Sequence, residues 1–176
     1  MKRFTLYFTS LIILATSTIL PVCQAEGIGE KEGRSKAKAM FDRAVALIEK
    51  EGLHKAFYEL NTNRSEFVDG AIHVMIVTDG GVIFAHSHQP HLIGLSIAEQ
   101  ISATADPREQ YSFRDALTDM DKVGDKVRSI HWVWFNPETK KRERKRAFVK
   151  RIYDPDADYL AFFYVMASYF MPLDER

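Results

Sequence analysis

The chain has 176 residues, the length of one ordinary domain with a short leader. Its 24 Lys and Arg residues balance 24 Asp and Glu residues, so no global charge attracts it to nucleic acid or to an anionic membrane. Cys23 is the single cysteine, which excludes an intrachain disulfide. With 46% hydrophobic residues, including 12 Phe and 7 Tyr, the chain can build its core without one.

The first 25 residues have the layout of a secretory signal. Two basic residues precede an apolar run over 4–20, Pro21 ends it, and Cys23 and Ala25 place small residues before a cleavage site. We expect cleavage after Ala25 and a periplasmic or secreted protein. An uncleaved anchor is the alternative, because about 17 apolar residues is near the lower limit for spanning a bilayer.

Residues 26–34 are rich in Gly, Glu and Lys, and they predict a flexible leader. A long helix is expected from Ser35 to about Leu60, with Gly52 bending or weakening it. The apolar residues of this segment recur at i, i+4 and i+7, first at Phe41, Val45 and Ile48 and then at Leu53, Phe57 and Leu60.

Two β-rich runs, 71–78 and 82–87, flank Asp79-Gly80-Gly81 and predict a hairpin, since glycine allows the positive φ of such turns. The following segment, 90–125, mixes loops with short helical patterns over 97–103 and 113–120. Three more strands are expected, over 129–136, 144–153 and 159–168. The order predicts one α+β domain over 35–172, with a long N-terminal helix packed on a five-stranded antiparallel sheet that carries a helical and loop insertion.

Six motifs follow one another along this predicted domain: the hairpin from Val77 to His86, Pro90 to Gly94, Gly124, Trp132-Val133-Trp134, Asn136 to Thr139, and Lys145 to Lys150. Their order and spacing resemble those of single Cache domains, which are extracellular small-molecule sensors with a PAS-like sheet. The resemblance covers roughly residues 36–168, and it implies a PAS-like arrangement of the sheet and a pocket between the sheet and the insertion.

The resemblance implies an exported module that reversibly binds a small organic acid or amino acid, with a carboxylate as the preferred group and no cofactor. A separate membrane receptor or transporter would receive the signal, and the oligomeric state stays open. The ligand-binding residues are predicted to be His86, Trp132, Trp134 and Lys145, with Tyr111 and Arg114 from the insertion.

The chemistry of Lys145, Trp132 and Trp134 is compatible with ligand binding, and each of these residues also has a purely structural interpretation. An ammonium at Lys145 would offer three donors to a carboxylate, although most of the basic run 140–146 is expected at the surface. Trp132 and Trp134 share a strand face and can serve either as core or as a cavity wall.

Two other function classes remain open from the sequence. His86, His88 and His91 could form a metal site, and the chain could instead be an interaction protein with a vestigial pocket or a dimer along the long helix. No catalytic motif is present, so an enzyme is not expected.

Overall fold

The computed structural model describes residues 29–97, 99, 107–120, 122–136, 138–155 and 161–171, so the predicted secretory signal lies outside the described residues. Its α-helices and strands with defined bounds are, in chain order, α1 (Glu30–Glu51), α2 (Leu53–Thr62), β1 (Val68–Asp69), β2 (Ile72–Thr78), β3 (Ile83–His86), α3 (Pro107–Met120), β4 (Arg128–Asn136), β5 (Lys141–Asp154) and β6 (Ala161–Met171).

The N-terminal helix begins earlier than predicted. It starts at Glu30, so residues 30–34 of the expected flexible leader are helical, and Glu30 and Glu32 supply acidic groups to its first turn. Gly52 divides the predicted long helix into α1 and α2 because it adopts a positive φ of 85°. The predicted weak point is therefore a complete break between two helices.

The strands form one antiparallel sheet in the order β1-β2-β6-β5-β4, and β3 pairs with β2. This confirms the predicted five-stranded arrangement and adds the two-residue β1 beside β3. β5 and β6 are both longer than predicted. The pairing of β4 with β5 begins at Asn136 and Lys141, and the pairing of β5 with β6 continues to Met171. α3 is also longer than the predicted helix over 113–120, while most of the segment 97–103 lies outside the described residues.

Alternate residues of the central strands face opposite sides of the sheet, and each side has its own core. We call the side packed against α1 and α2 the α1 face. Its buried cluster combines helix residues such as Phe41 and Leu60 with strand residues such as Ile76, Val165 and Tyr169.

The opposite side, which packs against α3, is the α3 face. Ala116 and Met120 of α3 contact a cluster that includes Ile130, Val149 and Met166 of the sheet. Several buried polar residues also lie on this side of the strands, which distinguishes it from the α1 face. The candidate functional site is built from them.

Candidate functional site

His73 on β2 and His86 on β3 form a stacked pair of imidazole rings on the α3 face. Their ring centroids lie 4.7 Å apart and their planes differ by 21°. His86 pairs with Met75, two residues along β2 from His73, so both side chains project to the same side of the sheet. Only 6% of His73 and 3% of His86 is exposed. The hairpin therefore holds two imidazoles in contact away from bulk water.

A buried lysine lies on the same face. Lys145 on β5 is flanked in the sheet by Trp132 on β4 and Phe170 on β6. Its Nζ lies 5.7 Å from the centroid of the Trp132 ring and 5.2 Å from that of Phe170, within cation–π range. Only 8% of Lys145 is exposed, and burial lowers its pKa to about 7. The aromatic rings give partial stabilisation to an ammonium that has lost most of its water.

The three buried bases influence one another. Burial is the largest cause, and the positive charge of Lys145 the second, of a pKa of His86 that is lowered to about 3. Burial and Lys145 also hold the pKa of His73 well below its ordinary value. Both imidazoles are therefore neutral near pH 7, while Lys145 is close to half-protonated.

Hydrogen bonds at the Nδ1 atoms give the two neutral imidazoles opposite tautomers. The Nδ1 of His73 lies 2.9 Å from the carbonyl oxygen of Ala71, which can only accept, so this nitrogen carries the proton. The Nδ1 of His86 accepts the backbone N–H groups of His88 and Gln89, at 3.3 and 3.0 Å, so it is the unprotonated nitrogen. His73 therefore has a lone pair at Nε2, and His86 has an N–H at Nε2.

The nearest buried carboxylate along β5, that of Glu143, is used by the β4–β5 turn. Its two oxygens accept hydrogen bonds from Asn136 Nδ2 at 2.7 Å and Thr139 Oγ1 at 2.6 Å. Among the described residues, no carboxylate forms an ion pair with Lys145, and burial is the cause of its lowered pKa. The α3 face thus combines Lys145 and two imidazoles without an acidic partner from the described chain.

Comparison with solved structures identifies proteins with a similar architecture. The chain aligns with a methyl-accepting chemotaxis protein from Vibrio parahaemolyticus RIMD 2210633 at a TM-score of 0.51 and 14% identity, over 78% of this chain and 87% of that one. The chain has a Cache/PAS-like fold. The predicted resemblance is therefore confirmed for the fold, and identity at this level indicates no particular ligand.

Two other sensor structures align with the Cache/PAS-like chain at lower scores. One is a periplasmic sensor domain of a chemotaxis protein, with a TM-score of 0.46 and 17% identity, covering 77% of this chain and 88% of that one. The other is a Cache chemosensory domain that recognises carboxylic acids, with a TM-score of 0.45 and 15% identity, covering 77% and 86%. No family model and no curated protein sequence matches the chain.

The Cache/PAS-like sheet brings four of the predicted site residues to one side. His86, Lys145 and Trp132 are buried on the α3 face, and Trp134 is half-buried beside the same core. Arg114 is exposed on α3, and its backbone carbonyl accepts a hydrogen bond from Thr118 Oγ1. Tyr111 lies within the bounds of α3, but its side chain is outside the description. The ligand contacts of all six residues stay predictions.

The histidine cluster differs in composition from the one expected for a metal site. His88 and His91 are exposed, and the ring that stacks on His86 is that of His73. The ring centroid of His88 lies 5.7 Å from that of His73. Within the described part of the chain, no group of three or more His, Cys, Asp or Glu side chains is placed to hold a metal ion.

Sequence reasoning missed His73 and Phe170. His73 is the single polar aromatic residue in an otherwise apolar strand, and the hairpin brings that strand beside His86. Regular pairing counted back from the glycine turn would place Val74 opposite His86, and the register shift between Ile76 and Val77 moves His86 to the face of His73 instead. Phe170 lies beyond the predicted end of the last strand, so its pairing with Lys145 was not expected.

No helix in the described ranges is long and apolar enough to cross a membrane.

Proposed function

We propose that this protein is an exported sensor module that reversibly binds a small organic anion, most simply a carboxylate, on the α3 face. Lys145 supplies the positive charge and the Nε2–H of His86 supplies a neutral donor. Trp132 and Trp134 form an apolar wall, and the segment with Tyr111 and Arg114 covers the ligand.

The observation that carries this proposal is the ammonium of Lys145, which is 8% exposed and has no acidic partner among the described residues. A charged group of this kind is costly in the interior unless it is paired. A carboxylate would provide the missing charge and would accept hydrogen bonds from both the ammonium and His86. The neighbouring rings of Trp132 and Phe170 would exclude water from the pair.

Export and signalling complete the proposed role. We infer that residues 1–25 direct secretion and are removed after Ala25, and that residues 35–172 form one Cache-like domain. Binding would be reversible with no covalent step, and no enzymatic activity is assigned. A separate membrane receptor or transporter would respond to the loaded form.

A binding experiment with a matched control tests the proposal. The purified protein is screened by thermal shift against small carboxylates, and hits are measured by calorimetry. A ligand at 100 times its dissociation constant stabilises the fold by about 2.7 kcal/mol, which raises the melting temperature by several degrees. Lys145→Met should lower the affinity at least about tenfold, because one charge-assisted hydrogen bond contributes roughly 1.5–3 kcal/mol.

Lys141→Met is the control, because Lys141 lies on the same strand but is exposed. It should bind the carboxylate with the affinity of the natural protein. Equal affinities of the natural protein and Lys145→Met would remove Lys145 from the site. The absence of any carboxylate hit would overturn the proposed function itself.

A further inference from the structure

We infer that the ligand is a 2-hydroxy carboxylate, a molecule that places a hydrogen-bond donor beside its anionic group. This inference rests on the proposed function and specifies the ligand class for the same site. It depends on the hydrogen-bonding roles of His73 and His86, which the surrounding backbone determines.

The two imidazoles offer complementary groups to a ligand. The Ala71 carbonyl takes the Nδ1 proton of His73, so the Nε2 of that ring can only accept. Two backbone N–H groups occupy the Nδ1 of His86, so its Nε2 can only donate. A simple carboxylate satisfies the donor of His86 and the ammonium of Lys145. It has no proton for the lone pair of His73.

The two rings do not satisfy each other. Their planes are within 21° of parallel and their centroids are 4.7 Å apart, which is a stacked arrangement. A hydrogen bond between imidazoles needs the donor N–H to point at the acceptor in its ring plane, and stacking prevents this. The hydrogen bond that the structure gives the His73 ring is the one at Nδ1, to the carbonyl oxygen of Ala71. A ligand hydroxyl next to the carboxylate would donate a hydrogen bond to the Nε2 of His73.

Charge favours a hydroxyl over an amino group as this donor. A 2-ammonium group would bring a second positive charge next to Lys145 in a buried environment. The nearest carboxylate on the strand is that of Glu143, whose two oxygens already accept hydrogen bonds from Asn136 and Thr139. To bind an amino acid, a site with this geometry would need a free carboxylate that pairs with the ammonium of the ligand. Both oxygens of Glu143 are already hydrogen-bonded.

A series of three-carbon acids tests the inference. Calorimetry at pH 6.5 compares propanoate, 2-hydroxypropanoate and 2-aminopropanoate on the purified protein. We expect 2-hydroxypropanoate to bind at least about tenfold more tightly than propanoate, because a site built around a hydroxyl rejects the analogue that lacks it. We expect 2-aminopropanoate to bind more weakly than the hydroxy acid.

Two variants separate the acceptor from the donor. His73→Phe keeps a planar ring but removes the acceptor, so it should abolish the preference for the hydroxy acid over propanoate. His86→Phe removes the donor, so it should weaken both acids while the preference remains. Nitrogen NMR of the natural protein gives a readout that needs no variant to fold. It should show the proton of His73 on Nδ1 and that of His86 on Nε2.

The outcomes distinguish this inference from the proposed function. Equal binding of propanoate and 2-hydroxypropanoate would overturn the ligand class and leave the carboxylate site in place. Tighter binding of 2-aminopropanoate than of the hydroxy acid would also overturn it. A His73 tautomer with the proton on Nε2 would remove its basis. If none of these or other small carboxylates binds, both the function and the ligand class are wrong.

Discussion

The two faces of the sheet use the same strands in different ways. On the α1 face, Phe41, Ile76 and Tyr169 are fully buried among other apolar groups. On the α3 face, β5 presents the buried Glu143 and Lys145 toward its start and the apolar Ala147 and Val149 after them. The difference follows the parity of residue position, because neighbouring residues of a strand point to opposite sides.

This comparison separates residues that stabilise the fold from residues that reduce its stability. Burial of apolar groups on the α1 face is favourable. Burial of Lys145 without a partner among the described residues is unfavourable in the absence of a ligand. A side chain that costs stability and lies on the face opposite the long helix is better explained by binding than by folding. Truncation of a buried apolar residue on the α1 face and replacement of Lys145 by an apolar residue should therefore have effects of opposite sign on stability.

The largest effect is expected on the α1 face. Phe41→Ala should destabilise the protein by about 3–5 kcal/mol, because it removes a fully buried aromatic ring and leaves a cavity. Urea denaturation followed by circular dichroism measures the change. Phe135→Ala is the control, since Phe135 is 45% exposed, and it should change the stability by no more than about 0.5 kcal/mol. A similar loss in both variants would contradict the assignment of Phe41 to the buried core of the α1 face.

Lys145→Met should act in the opposite direction, and its effect should depend on pH. The pKa of Lys145 is about 7 in the folded protein and is near 10.5 for an unperturbed lysine. Between these values the unfolded chain binds the extra proton, so the stability of the natural protein rises with pH. The methionine variant lacks this dependence. It should be more stable than the natural protein by the largest margin below pH 7.

Denaturation curves at several pH values measure that margin. It should shrink by up to about 1.4 kcal/mol per pH unit between pH 7 and 10. The exposed Lys36 has a raised pKa and contributes with the opposite sign, but it is present in both proteins and cancels in the difference. A margin that does not change with pH would show that Lys145 titrates normally.

Carboxylate affinity should fall as the pH rises above 7. Lys145 then loses its proton in the free protein, and a bound anion must restore it. The dissociation constant should increase by up to about tenfold per pH unit above the pKa of Lys145. Calorimetry in two buffers with different ionisation heats should detect proton uptake near pH 8. An affinity that is constant from pH 6 to 9 would contradict a role for the ammonium.

The smallest effect is expected where the α1 face meets solvent. Lys150 on β5 forms an ion pair of 2.7 Å with Glu49 on α1, whose side chain is 60% exposed. Lys150→Ala should lower the stability by less than about 1 kcal/mol, because solvent screens such pairs. The loss should decrease further in 0.5 M salt. A loss as large as that of Phe41→Ala would show that surface charge contributes as much as the core.

The elements that were predicted correctly from the sequence are determined by residues that lie close together in the chain. The hairpin of β2 and β3 follows from apolar runs on either side of two glycines, and the break at Gly52 follows from one residue. The start of α1 was harder to predict. The weakly apolar segment 30–34 becomes helical as an extension of a helix that packs on the sheet, and periodicity alone does not reveal this.

The candidate site depends on contacts that are distant in sequence. His73 meets His86 only because of a register shift between Ile76 and Val77 in the hairpin. The basic run 140–146 looked like a solvated turn, but strand alternation buries Lys145 while Lys141 and Arg142 are exposed. Sequence resemblance identified Lys145, and residue spacing did not. The opposite tautomers of the two imidazoles require the backbone coordinates of Ala71, His88 and Gln89.

The position of β6 has a consequence for how the chain folds. It is the last strand in sequence, yet it lies between β2 and β5 and joins the hairpin β2–β3 to the hairpin β4–β5. Neither face can close until residues 161–171 are available, so both hairpins must wait for the C-terminal strand during synthesis. For the export proposed here, this order would keep the emerging chain open, and therefore able to pass through a narrow channel, until residues 161–171 have been made.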